Sequence, residues 1–448
     1  MIWLAAIGSV LILVGCRGIP TKTEHAARQD LRDVTQRYRP DRKPPTLPDL
    51  KPDSTLSNYL TYSMLNSPLV TAAYYDWAAS VERITVERSL PDPKLTFESD
   101  IADVVMTVMP GLMQDFPGPG KLKARGNMAA AESRTKYFAF EAAVLQTALQ
   151  LKRSFFELHF LDERLRISRE NAKLLGDLET IARARNEVAK VTLQDVLRAQ
   201  IERDRMSNEI TNLEDSRRPI AARFKAALGL KSDQPDPPLP ASFESTPLEV
   251  SLDELLKTAF VRNPRLKAME AEVRAAQAAI GVAYKEKVPD FGLGLMADAK
   301  ASPTMFRPLA SVSLPIWRDK IAAEIAQAKA TELAAQARLT AEQISLTVEF
   351  AEKSFMYREV SRELALLQSQ LTPKAKLSLE VARSGYLSGT IDFFNLIDAE
   401  RTLLNFELAE VEARTRREIV LAEMSLVIAG VAPEGAPTLR ASNLSSTR

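Results

Sequence analysis

Apolar residues along this chain follow two regimes, and each regime occurs twice. Over long stretches they recur every three or four positions. Leu145, Leu149, Phe156, Phe160, Ile167, Leu174, Leu178 and Ile181 form one such stripe, with the spacing of a coiled-coil seam. No proline interrupts the chain between Pro119 and Pro219, and a helix from about 120 to 188 is roughly 100 Å long at 1.5 Å per residue. From Lys94 to about Gln114, and again from Phe291 to about Leu314, the helical period disappears. Alternation replaces it, as in Val105, Thr107, Met109 and in Leu293, Leu295. Each stretch has room for two strands of about eight to eleven residues, the length that crosses a bilayer when tilted.

The second half of the chain repeats the first. Leu90-Pro91-Asp92-Pro93 returns about 198 residues later as Val288-Pro289-Asp290-Phe291, and Asn66-Ser67-Pro68-Leu69 returns as Asn263-Pro264-Arg265-Leu266. A fixed period of this length means one structural unit used twice. The predicted organisation is a first repeat over 53–233, with helices over 54–89, a strand pair at about 94–115 and a long helix pair at about 120–230. The second repeat covers 251–432, with strands at about 291–315 and long helices at about 318–430. It opens on Ser251-Leu252-Asp253-Glu254, which has the spacing of a capping box. Pro373 is expected to kink the first rod of this copy. Between the repeats, 234–250 reads as a stiff Pro-rich linker. Residues 433–448 read as a disordered tail. Residues 16–52, with Pro40, Pro44, Pro45, Pro48 and Pro52, read as an extended arm. The fold class is mainly α with a small β part.

Charge narrows the partners. Lys and Arg number 59 against 58 Asp and Glu, leaving no basic surplus for nucleic acid. Most carboxylates sit at helical spacing from Arg or Lys and belong to solvated faces. Catalysis has little support. The two histidines, His25 and His159, are far apart, no Gly-rich phosphate loop follows a strand, and no metal-ligand spacing occurs. No catalytic residue, metal or cofactor is expected. Residues 1–15 are apolar and too short to span a bilayer, so they read as a signal peptide. Their end, Leu13-Val14-Gly15-Cys16, resembles a bacterial lipobox, which implies acylation (palmitate among the chains) at Cys16. Arg17 rather than Asp follows, which in such lipoproteins favours the outer membrane.

The long helix pairs turn at Glu187-Val188-Ala189-Lys190-Val191-Thr192-Leu193-Gln194-Asp195-Val196 and at Gly385-Tyr386-Leu387-Ser388-Gly389-Thr390, followed by Asn395-Leu396-Ile397-Asp398-Ala399. With the repeated Pro-Asp strand entry and the lipobox, this arrangement resembles the TolC-like outer-membrane efflux factors over nearly the whole mature chain. The resemblance implies a homotrimer in the bacterial outer membrane, extending into the periplasm. Each subunit gives four strands to a twelve-stranded barrel and its helices to a long α-barrel. It implies a channel for efflux or type I secretion, opened by a periplasmic adaptor and an inner-membrane pump, with outer-membrane lipid around it. Carried over residue by residue, Asp195, Tyr386, Asn395 and Asp398 form the periplasmic gate. Tyr386 bonds Asp195 in the closed state and Asp398 forms a three-fold acidic ring. Val188, Ala189, Lys190, Gly385, Gly389 and Thr390 face the adaptor. Three departures stand out. Ala189 replaces a glycine, Asn395 an acid, and Ile391 the arginine of a second closing link, which implies a looser latch. The alternative is a lipid-anchored periplasmic coiled-coil adaptor or scaffold. Two strand pairs in a whole-chain repeat favour the channel.

Overall fold

The computed structural model describes residues 20–39, 43–102, 105–238, 252–298 and 303–429. Helix α1 (Lys22–Tyr38) is followed by α2 (Leu56–Asn66), α3 (Pro68–Arg88), strands β1 (Lys94–Ala102) and β2 (Val105–Phe116), α4 (Lys121–Glu187) and α5 (Leu193–Ala227). The same order of two helices, two strands and long helices then returns: α6 (Leu252–Arg262), α7 (Pro264–Lys285), β3 (Asp290–Asp298), β4 (Met305–Ser313), α8 (Arg318–Leu366), α9 (Thr372–Ser388) and α10 (Phe393–Ala429). None of the described helices is long and apolar enough to cross a membrane.

The four strands form one antiparallel sheet in chain order, so β1 and β4 are its edges. The register sorts side chains cleanly by face. Leu95, Leu112, Leu295 and Pro308 lie abreast, as do Phe116, Phe291 and Val312. Leu95, Phe97, Leu293 and Phe306 on this face are each more than half exposed. The other face carries the ion pairs Lys94–Asp115 at 2.7 Å and Arg307–Asp298 at 3.5 Å. Glycines floor that face. A Cβ at Gly111 would strike the Met296 side chain, and one at Gly294 would press the Leu112 carbonyl at 2.9 Å.

Rods descend from the sheet: α3 enters β1, α4 leaves β2, α7 enters β3 and α8 leaves β4, and they pack side by side in the order α3, α4, α7, α8. α4 alone has 67 residues, roughly 100 Å of helix. The largest core gathers where α1, α2 and α3 meet α4. Its centre is Tyr38, Tyr74, Trp77 and Phe140, with Trp77 stacked on Phe140 at 5.8 Å.

Two expectations are corrected. The arm is not extended throughout, because 22–38 is a helix. Thr21 caps it by accepting the Glu24 N–H, and Thr21-Lys22-Thr23-Glu24 has the Thr-x-x-Glu spacing of a helix start; after Pro20 the next proline is Pro40. The first rod of the second copy is interrupted not at Pro373 but just before it, by a π-helical turn over Leu367–Leu371. Proline lacks the N–H that would close the preceding α-turn, and the extra residue of a π-turn absorbs the mismatch. Of 54–89, two helices form, split at Ser67, which caps α3 through the Val70 N–H. The signal segment, Cys16, most of the Pro-rich linker, the Ser251 cap and the C-terminal tail lie outside the described residues.

Candidate functional site: the paired tip turns

At the ends of the rods farthest from the sheet, α4 turns into α5 and α9 into α10. Both turns close with the same backbone hydrogen bonds. In the first, the Ala189 N–H donates to the Asn186 carbonyl and the Lys190 N–H to the Arg185 carbonyl, each at 2.9 Å. In the second, Gly389 donates to Tyr386 at 3.1 Å and Thr390 to Gly385 at 2.9 Å. This is the double bond set of a helix ending in a left-handed residue. That residue is Gly389 (φ 85°) in the second turn and Ala189 (φ 55°) in the first. Ala189 thus adopts the left-handed backbone that Gly389 takes in the other turn.

The helices that follow are capped by acids. Thr192 and Asp195 form a capping box, in which the Thr192 N–H donates to the Asp195 carboxylate at 3.3 Å. Asp392 accepts the Asn395 N–H at 2.9 Å. Gly385 allows Ile391 to lie directly on it, since a Cβ there would stand 2.6 Å from the Ile391 Cδ1.

The structure brings the expected gate residues together only in part. Asn395 and Asp398 are exposed on one face of α10, beside Ile391, and line a cavity of about 620 Å³ with Leu377, Val381 and Thr402 of α9 and α10. Tyr386 faces the other way, buried against Phe393 with ring centres 5.4 Å apart. Its hydroxyl is enclosed and has no hydrogen-bond partner among the described residues, so the expected bond to Asp195 is not made. Asp195 is engaged by its own helix start instead. It remains near enough to matter: burial raises the Tyr386 phenol above its ordinary value, the Asp195 charge adds to this, and Arg185 opposes it.

Arg185 is the residue that sequence reading missed. It donates Nη1 to the Tyr386 backbone carbonyl, and its guanidinium lies 4.8 Å over the Tyr386 ring. Further contacts tie the two hairpins together. Arg401 of α10 pairs with Glu202 of α5, and Arg198 stands 5.8 Å over the Phe394 ring. Asn171 of α4 donates to Glu400 of α10 in a buried contact. Burial raises the Glu400 carboxyl above the usual carboxylate range; the Asn171 bond opposes this and Glu202 adds to it. No signal short of the fold points to these pairs, because the partners are about 200 residues apart. Among the described residues, no three His, Cys, Asp or Glu side chains gather as a metal would need. His159 is half-buried in α4, and burial lowers its pKa.

Comparison with known proteins places this geometry. Residues 255–430 match the family described as outer membrane efflux protein. The cobalt-zinc-cadmium resistance protein CzcC of Cupriavidus metallidurans is 25% identical over 331 residues, covering 70% of this chain and 76% of that protein. The outer-membrane channel OprN superposes with a TM-score of 0.72 at 17% identity, covering 86% of this chain and 94% of that one. The CmeC outer membrane channel of Campylobacter jejuni gives 0.73 at 14% identity, covering 84% and 86%. Over residues 255–430 the sequence matches the outer membrane efflux protein family, and the fold of the chain is that of outer-membrane channels such as OprN and CmeC.

Proposed function

We propose that three copies of this chain close into one tube, the outer-membrane exit duct of a tripartite efflux or secretion system. The observation that carries the reading is the sheet. Its outer strands β1 and β4 each have one unpaired edge, one face is apolar and exposed, and the other holds ion pairs. In hydrocarbon every unpaired backbone group costs several kcal/mol, so a spanning sheet has to close on itself. Four strands curve too little to do so alone. Joining β4 of one copy to β1 of the next removes every edge. Trp317, 72% exposed just past β4, is the side chain expected at a membrane–water boundary. Below it, α8 presents Leu333, Ile344, Val348 and Phe355 outward, an apolar seam for the helices of a neighbouring copy.

The arm supports lipid anchoring at Cys16. Glu24, near the start of α1, is held by Arg88 at the sheet end of α3, whereas Tyr38 at the far end reaches Tyr74. The start of α1 therefore lies at the sheet end of the rods, and a stretch as short as Cys16 to Pro20 can span at most about 14 Å. At the opposite end, Val188, Ala189, Lys190, Gly385, Gly389 and Thr390 are the contacts for a periplasmic adaptor, with energy supplied by an inner-membrane pump. Asn395 and Asp398 face the lumen, and three Asp398 carboxylates in a narrow mouth favour cations. From the relative named for cobalt, zinc and cadmium resistance, we take divalent transition-metal ions as the cargo class. The test is assembly and conductance of the purified protein. Native mass measurement in detergent is expected to give three copies, and planar bilayers are expected to give cation-preferring currents whose preference falls in Asp398→Ala. A stable single copy that never conducts overturns the reading.

A further inference from the structure

The second turn carries no arginine between Gly385 and Phe394, yet the tip has one in the gap between hairpins. It comes from the other side. Arg185, in the last turn of α4, reaches across to the C-terminal end of α9. There its Nη1 donates to the Tyr386 carbonyl, which already accepts the Gly389 N–H. The end of a helix carries partial negative charge, so a cation is favoured at this spot. The guanidinium carbon lies 4.8 Å from the centre of the Tyr386 ring. Other rod arginines nearby hold carboxylates, as Arg183 and Arg203 hold Glu179. Among the described residues Arg185 has no carboxylate within ion-pair distance; both of its contacts are with Tyr386.

Taking the duct reading as its basis, we propose that Arg185 is the clasp that ties the first tip turn to the second in the resting tube. Its release from Tyr386 is then a step of opening. Separating the two hairpins at the tip requires this arginine to give up the backbone carbonyl and the ring of the other hairpin. Lysine cannot replace it fully, because an ammonium is a compact point charge without the spread of donors that lets a guanidinium meet ring and carbonyl together. The tyrosine acts through its ring and carbonyl, not through its hydroxyl.

Planar-bilayer recording of detergent-purified protein tests this. Arg185→Ala is expected to raise resting open probability about tenfold, the shift produced by about 1.4 kcal/mol. Arg185→Lys should fall between it and the wild type. Tyr386→Ala, which loses the ring but keeps the carbonyl, should lie between Arg185→Ala and the wild type, and adding it to Arg185→Ala should change little more. Tyr386→Phe, which keeps ring and carbonyl, should behave as wild type. Trimer content and thermal midpoint are measured beside each recording, so a gating change is separated from a loss of assembly. If Arg185→Ala does not assemble, Arg185→Lys and Tyr386→Ala carry the test. Wild-type resting behaviour in these variants, or leakage in Tyr386→Phe equal to that in Tyr386→Ala, overturns the clasp. A wild-type protein that neither forms trimers nor conducts would instead sink the duct reading beneath it.

Discussion

The two tip turns share one hydrogen-bond skeleton and differ in almost everything attached to it. The first is polar and open. Its left-handed position is an alanine, and the Asn186 side chain donates to the Val191 carbonyl at 2.9 Å to hold the loop. The second is packed. Its left-handed position is glycine, Ile391 lies on Gly385, and Tyr386 and Phe393 are buried below. The Gly385 carbonyl there also accepts the Ser388 and Thr390 hydroxyls at 3.0 and 3.1 Å. One backbone geometry can thus be held either by side-chain hydrogen bonds at some conformational cost, or by close packing that requires glycine. The first turn tolerates substitution where the second does not, and the arginine between them belongs to the tolerant side.

The sharpest way to break this comparison is to put side chains where the second turn has none. Gly385→Val should destabilise the tip by about 2–3 kcal/mol through overpacking on Ile391. Arg185, the counterpart position of the first turn, already carries a long side chain. Adding Ile391→Ala should recover most of the loss, read as the thermal midpoint of the assembled protein. No recovery would mean that the strain lies elsewhere.

A smaller effect concerns what the second hairpin leans on. Because burial raises the Glu400 carboxyl, the folded tip binds its proton more tightly than the unfolded chain does. The tip is therefore firmer in mild acid and weakens as pH rises past the ordinary carboxylate value. Above the raised value it weakens no further. Glu400→Gln should flatten this dependence and leave the neutral-pH midpoint equal or higher; a steeper dependence would contradict the assignment. Glu24 in the arm has the opposite sign. Burial would raise it, but bonds from Arg88, Arg28 and Thr85 prevail and hold it at about 2, so its contribution is lost only as pH falls towards that value. The two groups can be separated by the pH range in which each acts.

The smallest effect expected is a gain. A non-glycine residue in the left-handed region costs roughly 1–2 kcal/mol, and the added freedom of glycine in the unfolded chain returns part of that. Ala189→Gly should thus stabilise the first turn by up to about 1 kcal/mol, measured as hydrogen-exchange protection at Lys190 and Val191. A loss of protection would show that Ala189 is not strained.

Local chemistry made much of this legible in the sequence. The switch from a period of 3.6 to a period of 2 marked the strands, and the seam from Leu145 to Ile181 marked the longest rod, because both patterns repeat the burial of one face. Gly389 could be read as a left-handed helix end from the Gly-x-x-x-Gly-Thr turn, and Ala189 as its oddity. The arm helix was missed though its Thr-x-x-Glu start was in view, because the prolines beyond it dominated the segment. The π-turn before Pro373 was not legible, since a proline fixes that the ladder must break but not which turn accommodates the break. Arg185, Arg198 and the Asn171–Glu400 contact were invisible for a different reason. Each joins two hairpins that only tertiary packing brings together, and a charged residue near a helix end looks the same whether it faces solvent or a partner.

Helix α1 grips α3 and α4, through Glu24 with Arg88 and Asp30 with Arg134, and so leans on only one of the two similar halves. In the proposed ring six near-equivalent staves would then be moored alternately, three carrying a tether and three not. Any pull from the membrane would reach the tube as a three-fold pattern of load, handed first to the staves that end in the alanine turn.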